Sequence, residues 1–198
     1  MNTPMASQDR DGDGLRRFRN PQDGHWHVQI MQGDAYVTAE PQEVLTTILG
    51  SCIAACIRDP ASGIGGMNHF LLPEGSGGDR NAQRFGVNAM EILINGILAR
   101  GGMRWRLEAK LFGGANVMAS LSSVGTRNAE FARKFLADEG IAVIGGSVGG
   151  TAPRRIQFWP ANGRARQLAV QIDRKALADQ ELARARPVAV ETDDVELF

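Results

Sequence analysis

The stretch Gly50-Ser51-Cys52 is where nucleophilic chemistry can sit in this sequence. It is followed by an apolar run, a turn and Gly65-Gly66-Met67-Asn68-His69, so one of two cysteines is followed closely by one of three histidines. An imidazole within hydrogen-bonding reach can take a thiol proton, and only the thiolate is a competent nucleophile. The segment Asp59-Pro60-Ala61-Ser62-Gly63 must bring the two together. Its proline presets φ, its aspartate can bond the backbone and its glycine accepts φ > 0, which predicts a β-hairpin turn. Across such a turn, residues whose positions sum to a constant face one another, placing Cys52 in the neighbourhood of Met67-Asn68-His69. The third member of such a set orients the imidazole. Thr46, Thr47 and Asn68 all lie close enough in the sequence to serve.

A cysteine in an apolar strand is more often a small buried hydrophobe than a nucleophile. Cys56, between Ala55 and Ile57 with no flanking glycine, is what that ordinary case looks like. Cys52 and Cys56 also form a Cys-x-x-x-Cys pair that could suggest half a metal site. No second pair accompanies it, and His25 and His27 lie apart in a polar N-terminal stretch, so neither a metal nor a cofactor is expected.

The run from Val44 to Pro73, VLTTILGSCIAACIRDPASGIGGMNHFLLP, resembles the signature region of the CheD family, the chemoreceptor glutamine deamidases of bacterial chemotaxis. The resemblance continues through Gly33-Asp34-Ala35-Tyr36-Val37, Lys110-Leu111-Phe112-Gly113-Gly114-Ala115-Asn116 and Gly145-Gly146-Ser147-Val148-Gly149-Gly150, covering about residues 27 to 172. It implies Cys52 as the nucleophile, His69 as its base and Thr46 as the third member, orienting His69 through its hydroxyl. The backbone N–H groups around Gly50, Ser51 and Cys52 are the candidates for holding an oxyanion. It also implies a substrate, glutamines on the cytoplasmic helices of methyl-accepting chemoreceptors, and for some members a partner, the CheC-type phosphatase. A binding role without catalysis is therefore a second expectation. A thiol protease or a transglutaminase, which need the same thiolate in a different pocket, is a third.

The elements that must position these residues follow from pattern. Residues 25–31 and 35–37 read as short strands. The glycine-rich stretch 74–79 reads as a loop, and apolar residues at helical spacing predict a helix over 81–100, with Arg84 and Asn88 near its start on a solvated face, from which they could also reach the site. A strand is expected over 105–112, ending in Gly113-Gly114, where paired glycines allow either a tight turn or the close approach of backbone or substrate. A helix over 126–138 and a strand over 141–144 come next. Asn162-Gly163 between the alternating runs 154–159 and 164–172 predicts a hairpin. Residues 173–186 read as a helix, and the acidic end 191–198 as a frayed terminus or a docking motif. With two hairpins and two central helices the fold class is α+β, built of mixed, largely antiparallel, sandwich-like sheets with helices outside. The resemblance implies the same.

With 43% hydrophobic residues, 198 residues can bury one substantial core. The division expected is an unstructured tail over 1–24, the deamidase-like domain over 25–172 and a helical, acidic tail over 173–198. Twenty-two basic residues balance 22 acidic ones, so no field favours nucleic acid. No apolar run reaches membrane-spanning length and no leader pattern opens the chain, which predicts a cytoplasmic protein with reduced thiols. The run Asp9–Gly14 superficially suggests a calcium loop but lacks the glutamate that would complete it.

Overall fold

The computed structural model describes residues 8–10, 14–73, 78–117, 123–171 and 173–185. Residues 11–13 of the calcium-like run, 74–77 of the glycine-rich loop and the acidic end lie outside them.

Two mixed sheets stack face to face, and two helices cover the second. The first sheet runs β1 (Gln8–Arg10), β2 (Arg16–Arg19), β3 (Trp26–Gln29), β5 (Glu43–Leu49), β10 (Arg154–Trp159) and β11 (Arg164–Ala169) in spatial order. The second runs β4 (Ala35–Thr38), β7 (Ile64–Asn68), β6 (Ile53–Asp59), β8 (Glu108–Gly113) and β9 (Ala142–Val148). All pairings are antiparallel except β3 with β5 and β8 with β9. Alternation along the strands sends Val28, Leu45, Leu49, Ile156 and Phe158 of the first sheet against Ala54, Cys56 and Met67 of the second, forming one core between the sheets. The other face of the second sheet buries Ile53, Ala55 and Ile57 under helices α1 (Gly78–Ala99) and α2 (Val124–Asp138), through Met90, Leu93, Ile97 and Leu136. A third helix, α3 (Arg174–Ala185), returns to the first sheet and the site. The class is α+β, as the pattern predicts.

Three local differences have physical causes. The stretch 1–24, expected as an unstructured tail, instead contributes β1 and β2. Four residues of β2 pair with β3, Phe18 lies against the His27 ring at 5.4 Å and Arg17 reaches Glu43 at 3.8 Å, so the added strand is held by backbone pairing and two side chains despite its polar composition. The segment Arg104–Arg106 forms a 3-10 turn where a strand was expected, and β8 begins only at Glu108. The turn puts Arg106 on the buried Asp59, whose carboxylate also accepts from the Met103 N–H. The strand expected over 141–144 runs on through Gly145 and Gly146 to Val148, pairing with β8 across a register shift at Ala109/Lys110.

Candidate functional site

The hairpin predicted from the turn forms, with Asp59 opposite Ile64 and Cys56 opposite Met67. Its register extends to an isolated bridge between Ile53 and Phe70. Cys52 and His69 each precede one member of that bridge, so they are diagonal neighbours on one face of the ladder. A ring nitrogen of His69, Cys52 Sγ and a carboxylate oxygen of Glu181 lie within 4.8 Å of one another.

The imidazole is held at one nitrogen. Thr47 Oγ1 lies 2.9 Å from His69 Nδ1 and donates to the Ile30 carbonyl at 2.7 Å. A hydroxyl has one proton, so with that proton on Ile30 its oxygen accepts from Nδ1–H. This tautomer leaves the lone pair on Nε2, a buried atom with no hydrogen-bond partner among the described residues, on the nitrogen a base would use. The contact falls to Thr47 and not to Thr46. Strand alternation explains the difference: Leu45, Thr47 and Leu49 share the face turned toward the second sheet, where His69 lies. Thr46 points the other way with Ile48, and it lines a cavity together with its cross-strand neighbours Gln29 and Gln157.

The Gly50-Ser51-Cys52 backbone is oriented by its carbonyls. Gly50 O accepts from Ala115 N at 2.8 Å, Cys52 O from Gly114 N at 2.7 Å, and Ser51 O from Asn128 Nδ2 at 3.0 Å. Asn128, wholly buried on α2, also accepts from Leu72 N at 2.9 Å. A trans peptide points its N–H opposite to its C=O, so fixing Gly50 O sends Ser51 N–H the other way. That N–H and the one from Gly50 converge on the Glu181 carboxylate, at 2.9 and 2.8 Å, and Ser51 Oγ donates to it at 2.6 Å. The anchor explains Gly113, whose φ is +106° and whose Cβ would stand 2.0 Å from Cys52 O. Of the two uses expected for that glycine pair, the structure shows the close approach of backbone.

Cys52 is fully buried, donating weakly to Gln32 Oε1 at 3.6 Å. Burial pushes its thiol well above the ordinary range, the charge of Glu181 and a hydrogen bond to it push further, and Arg184 opposes them. Burial likewise brings His69 down to about 4, against the opposing pull of Glu181 and the Ile30 carbonyl. In this arrangement thiol and imidazole are both neutral. Cys56 is also buried and lies within the inter-sheet core, and burial raises its thiol too. Cys52, His69 and Glu181 could offer three ligands to a metal ion. Both carboxylate oxygens of Glu181 accept hydrogen bonds from the Gly50–Ser51 segment.

A cavity of about 1090 Å³ opens beside the site, between α3 and the outer face of the first sheet. Thr47, His69, Gln32 and Glu181 border one end, and Arg155 and Arg166 lie on its sheet wall. His27 is buried and hydrogen-bonded to Asp23 at 2.9 Å, and His25 lies 2.8 Å from the Asp23 carbonyl. Arg84 and Asn88 are exposed on α1. Among the described residues no helix is long and apolar enough to cross a membrane. Sequence reasoning missed Gln32, Asn128 and Glu181, none of which stands in a motif that marks it.

Residues 71–168 match the family model described as CheD chemotactic sensory transduction, which begins just beyond His69. The chain is 54% identical over 176 residues to a probable chemoreceptor glutamine deamidase CheD of Caulobacter vibrioides, covering 86% of this chain and 92% of that one. It is 53% identical to the protein of the same description in Sinorhizobium medicae, over 81% and 91% of the two chains. Among solved structures, a hypothetical protein YfiH of Bacillus licheniformis aligns at 15% identity and a TM-score of 0.40, over 59% of this chain and 51% of that one, a likeness too slight to build on. With 54% identity over 176 aligned residues, spanning 86% of its own length and 92% of the relative's, the chain belongs to the CheD family.

Proposed function

We propose that this protein is a glutamine deamidase that converts glutamine side chains of methyl-accepting chemoreceptors to glutamate, acting in the cytoplasm on the receptors' signalling helices. The observation that carries the reading is His69, its ring turned by Thr47 with Nε2 left unpartnered and a ring nitrogen within 4.8 Å of the Cys52 sulfur, next to two backbone N–H groups aimed at a carboxylate. His69 Nε2 takes the Cys52 proton, and the sulfur attacks the carboxamide carbon. The N–H groups of Gly50 and Ser51 stabilise the oxyanion that forms. His69 returns the proton to the nitrogen as ammonia leaves. Water, deprotonated by the same ring, then cleaves the thioester to glutamate and restores the thiol. The product gains a negative charge on a receptor helix, which changes repulsion between neighbouring helices and so shifts a signalling equilibrium.

Family membership supports the substrate class, since the relatives are described as chemoreceptor glutamine deamidases. The test is mass spectrometry of a receptor cytoplasmic fragment incubated with the protein and with Cys52→Ala. Conversion of specific glutamines by the unmodified protein alone is expected, and equal conversion by both would refute the assignment. A CheC-type phosphatase partner is a separable reading. It requires a stable complex that Cys52→Ala leaves intact.

A further inference from the structure

Helix α3 treats the candidate site as a binding seat. Glu181 is 3% exposed, and its carboxylate takes three donors from Gly50 and Ser51 while lying within 4.8 Å of the nucleophile and base. Its main chain is held as well: Gln32 Nε2 donates to the Glu181 carbonyl at 3.0 Å, while Gln32 Oε1 accepts from the Cys52 thiol. Leu177, one turn earlier, packs on the same spot, and a Cβ on Gly50 would meet Leu177 Cδ2 and Glu181 Oε1 at 3.0 Å each. Gly50 is thus the opening through which a helix-borne side chain reaches the loop.

A glutamate on a helix, with its carboxylate against the N–H groups that would hold an oxyanion, is the product of glutamine deamidation in its place of formation. Glutamine and glutamate side chains have the same length, so the helix that carries Glu181 stands where a substrate helix must stand. We propose that α3 is a built-in product mimic seated in the substrate groove. The groove accepts the target glutamine on an intact helix, Gln32 reads that helix's main-chain carbonyl, and α3 must leave before a receptor helix can bind. This inference rests on the deamidase reading, and it adds the conformation of the substrate, a residue that reads it and a resting state that blocks it. Full burial of Cys52 under α3 is the expected consequence.

The test uses the full chain and has two arms. In Glu181→Gln the groove presents an amide to the thiol. Sulfur bonds to the amide carbon, ammonia departs with the thiol proton delivered by His69, and water cleaves the thioester, so position 181 reverts to glutamate. Peptide mass spectrometry is expected to read glutamate at that position in the single variant and glutamine in the Glu181→Gln, Cys52→Ala double variant. The second arm measures alkylation of Cys52 by iodoacetamide, with buried Cys56 as the internal control, in the native chain and in Glu181→Ala. Loss of the charge-assisted hydrogen bonds is expected to raise the Cys52 rate about tenfold or more with Cys56 unchanged, and to raise deamidation of a receptor fragment with it. If the native chain deamidates a receptor fragment while the glutamine introduced by Glu181→Gln persists, the seat assignment is overturned. Unchanged alkylation and activity in Glu181→Ala would overturn the blocking role. No deamidation of any substrate by any variant would instead refute the underlying deamidase reading.

Discussion

The adjacent threonines offer a sharp test, because strand alternation gives them opposite surroundings. Thr47→Val keeps the volume and removes the hydroxyl that stands between Ile30 O at 2.7 Å and His69 Nδ1 at 2.9 Å. Two buried polar groups lose their partner. The direct contact from Nδ1 to Ile30 O is 3.5 Å, long enough to recover only part of the loss. Leaving such groups short of partners costs about 1–3 kcal/mol, which a domain with roughly 5–15 kcal/mol of stability survives. The freed ring no longer has a fixed tautomer or a fixed direction for Nε2, and a barrier increase of about 1.4–2.7 kcal/mol corresponds to a kcat reduced roughly 10- to 100-fold. Thr46→Val changes a buried side chain beside Gln29 and Gln157 at the cavity wall, away from the imidazole, and its expected cost in stability is about 1 kcal/mol, with kcat the less affected of the two. The assay is deamidation of a receptor fragment with kcat and KM separated, beside urea unfolding of each variant. Thr47→Ser should restore most of kcat, because the hydroxyl returns without the methyl. If Thr46→Val lowers kcat more than Thr47→Val does, the assignment of the orienting role to Thr47 is wrong.

Two further outcomes follow from the same geometry. Gly113→Ala places a methyl 2.0 Å from Cys52 O at a φ of +106°, and is expected to cost ~3 kcal/mol or more; a urea midpoint corresponding to a loss below ~1 kcal/mol would contradict the close approach. His69 titrates at about 4, below its ordinary 6.5, because its charged form is buried. The unfolded chain therefore binds more protons between these values, so stability from this group is present above pH 6.5 and drains as the pH falls toward 4. Between pH 6.5 and 4 the urea midpoint of the native chain should fall more steeply than that of His69→Gln, which lacks the titrating group, and parallel profiles would show that His69 is not buried neutral.

The route from sequence to site was direct wherever the interaction is local. The turn at Asp59–Gly63 sets the β6–β7 register, and that register alone places Cys52 and His69 on one face. Apolar spacing likewise located α1 and α2, because burial against the second sheet is what the spacing encodes. The third member shows where this reasoning stops. Choosing between Thr46 and Thr47 requires knowing which face of β5 turns toward the second sheet, and Leu45 and Leu49 mark that face only once the sheets are seen to stack. Asn128 and Glu181 are further from reach. Each lies on a helix 77 or more positions from Ser51, which it holds, and a polar residue on a helix gives no sign of whether it meets water or a buried amide. The strand β2 was missed for the converse reason: its stability comes from pairing with β3, which polar composition does not report.

The construction of the Gly50–Cys52 loop explains why the motif needs a glycine pair distant in sequence. Three successive carbonyls are tied down, two by the N–H groups of Gly114 and Ala115 and one by Asn128. Only a backbone without a Cβ at Gly113 can come close enough to supply the first two. Because each peptide plane is rigid, tying an oxygen also aims the hydrogen of the next residue. One of the donors that would meet an oxyanion, the Ser51 N–H, is thus aimed by a bond on the far side of the loop, the one that ties Gly50 O, before any substrate arrives. Donors aimed in advance need no rearrangement as charge develops, which is the condition under which they lower a barrier most. The same preorganisation suits any carboxylate that can enter, so an unoccupied loop of this kind attracts an anion. In this chain Glu181 supplies one.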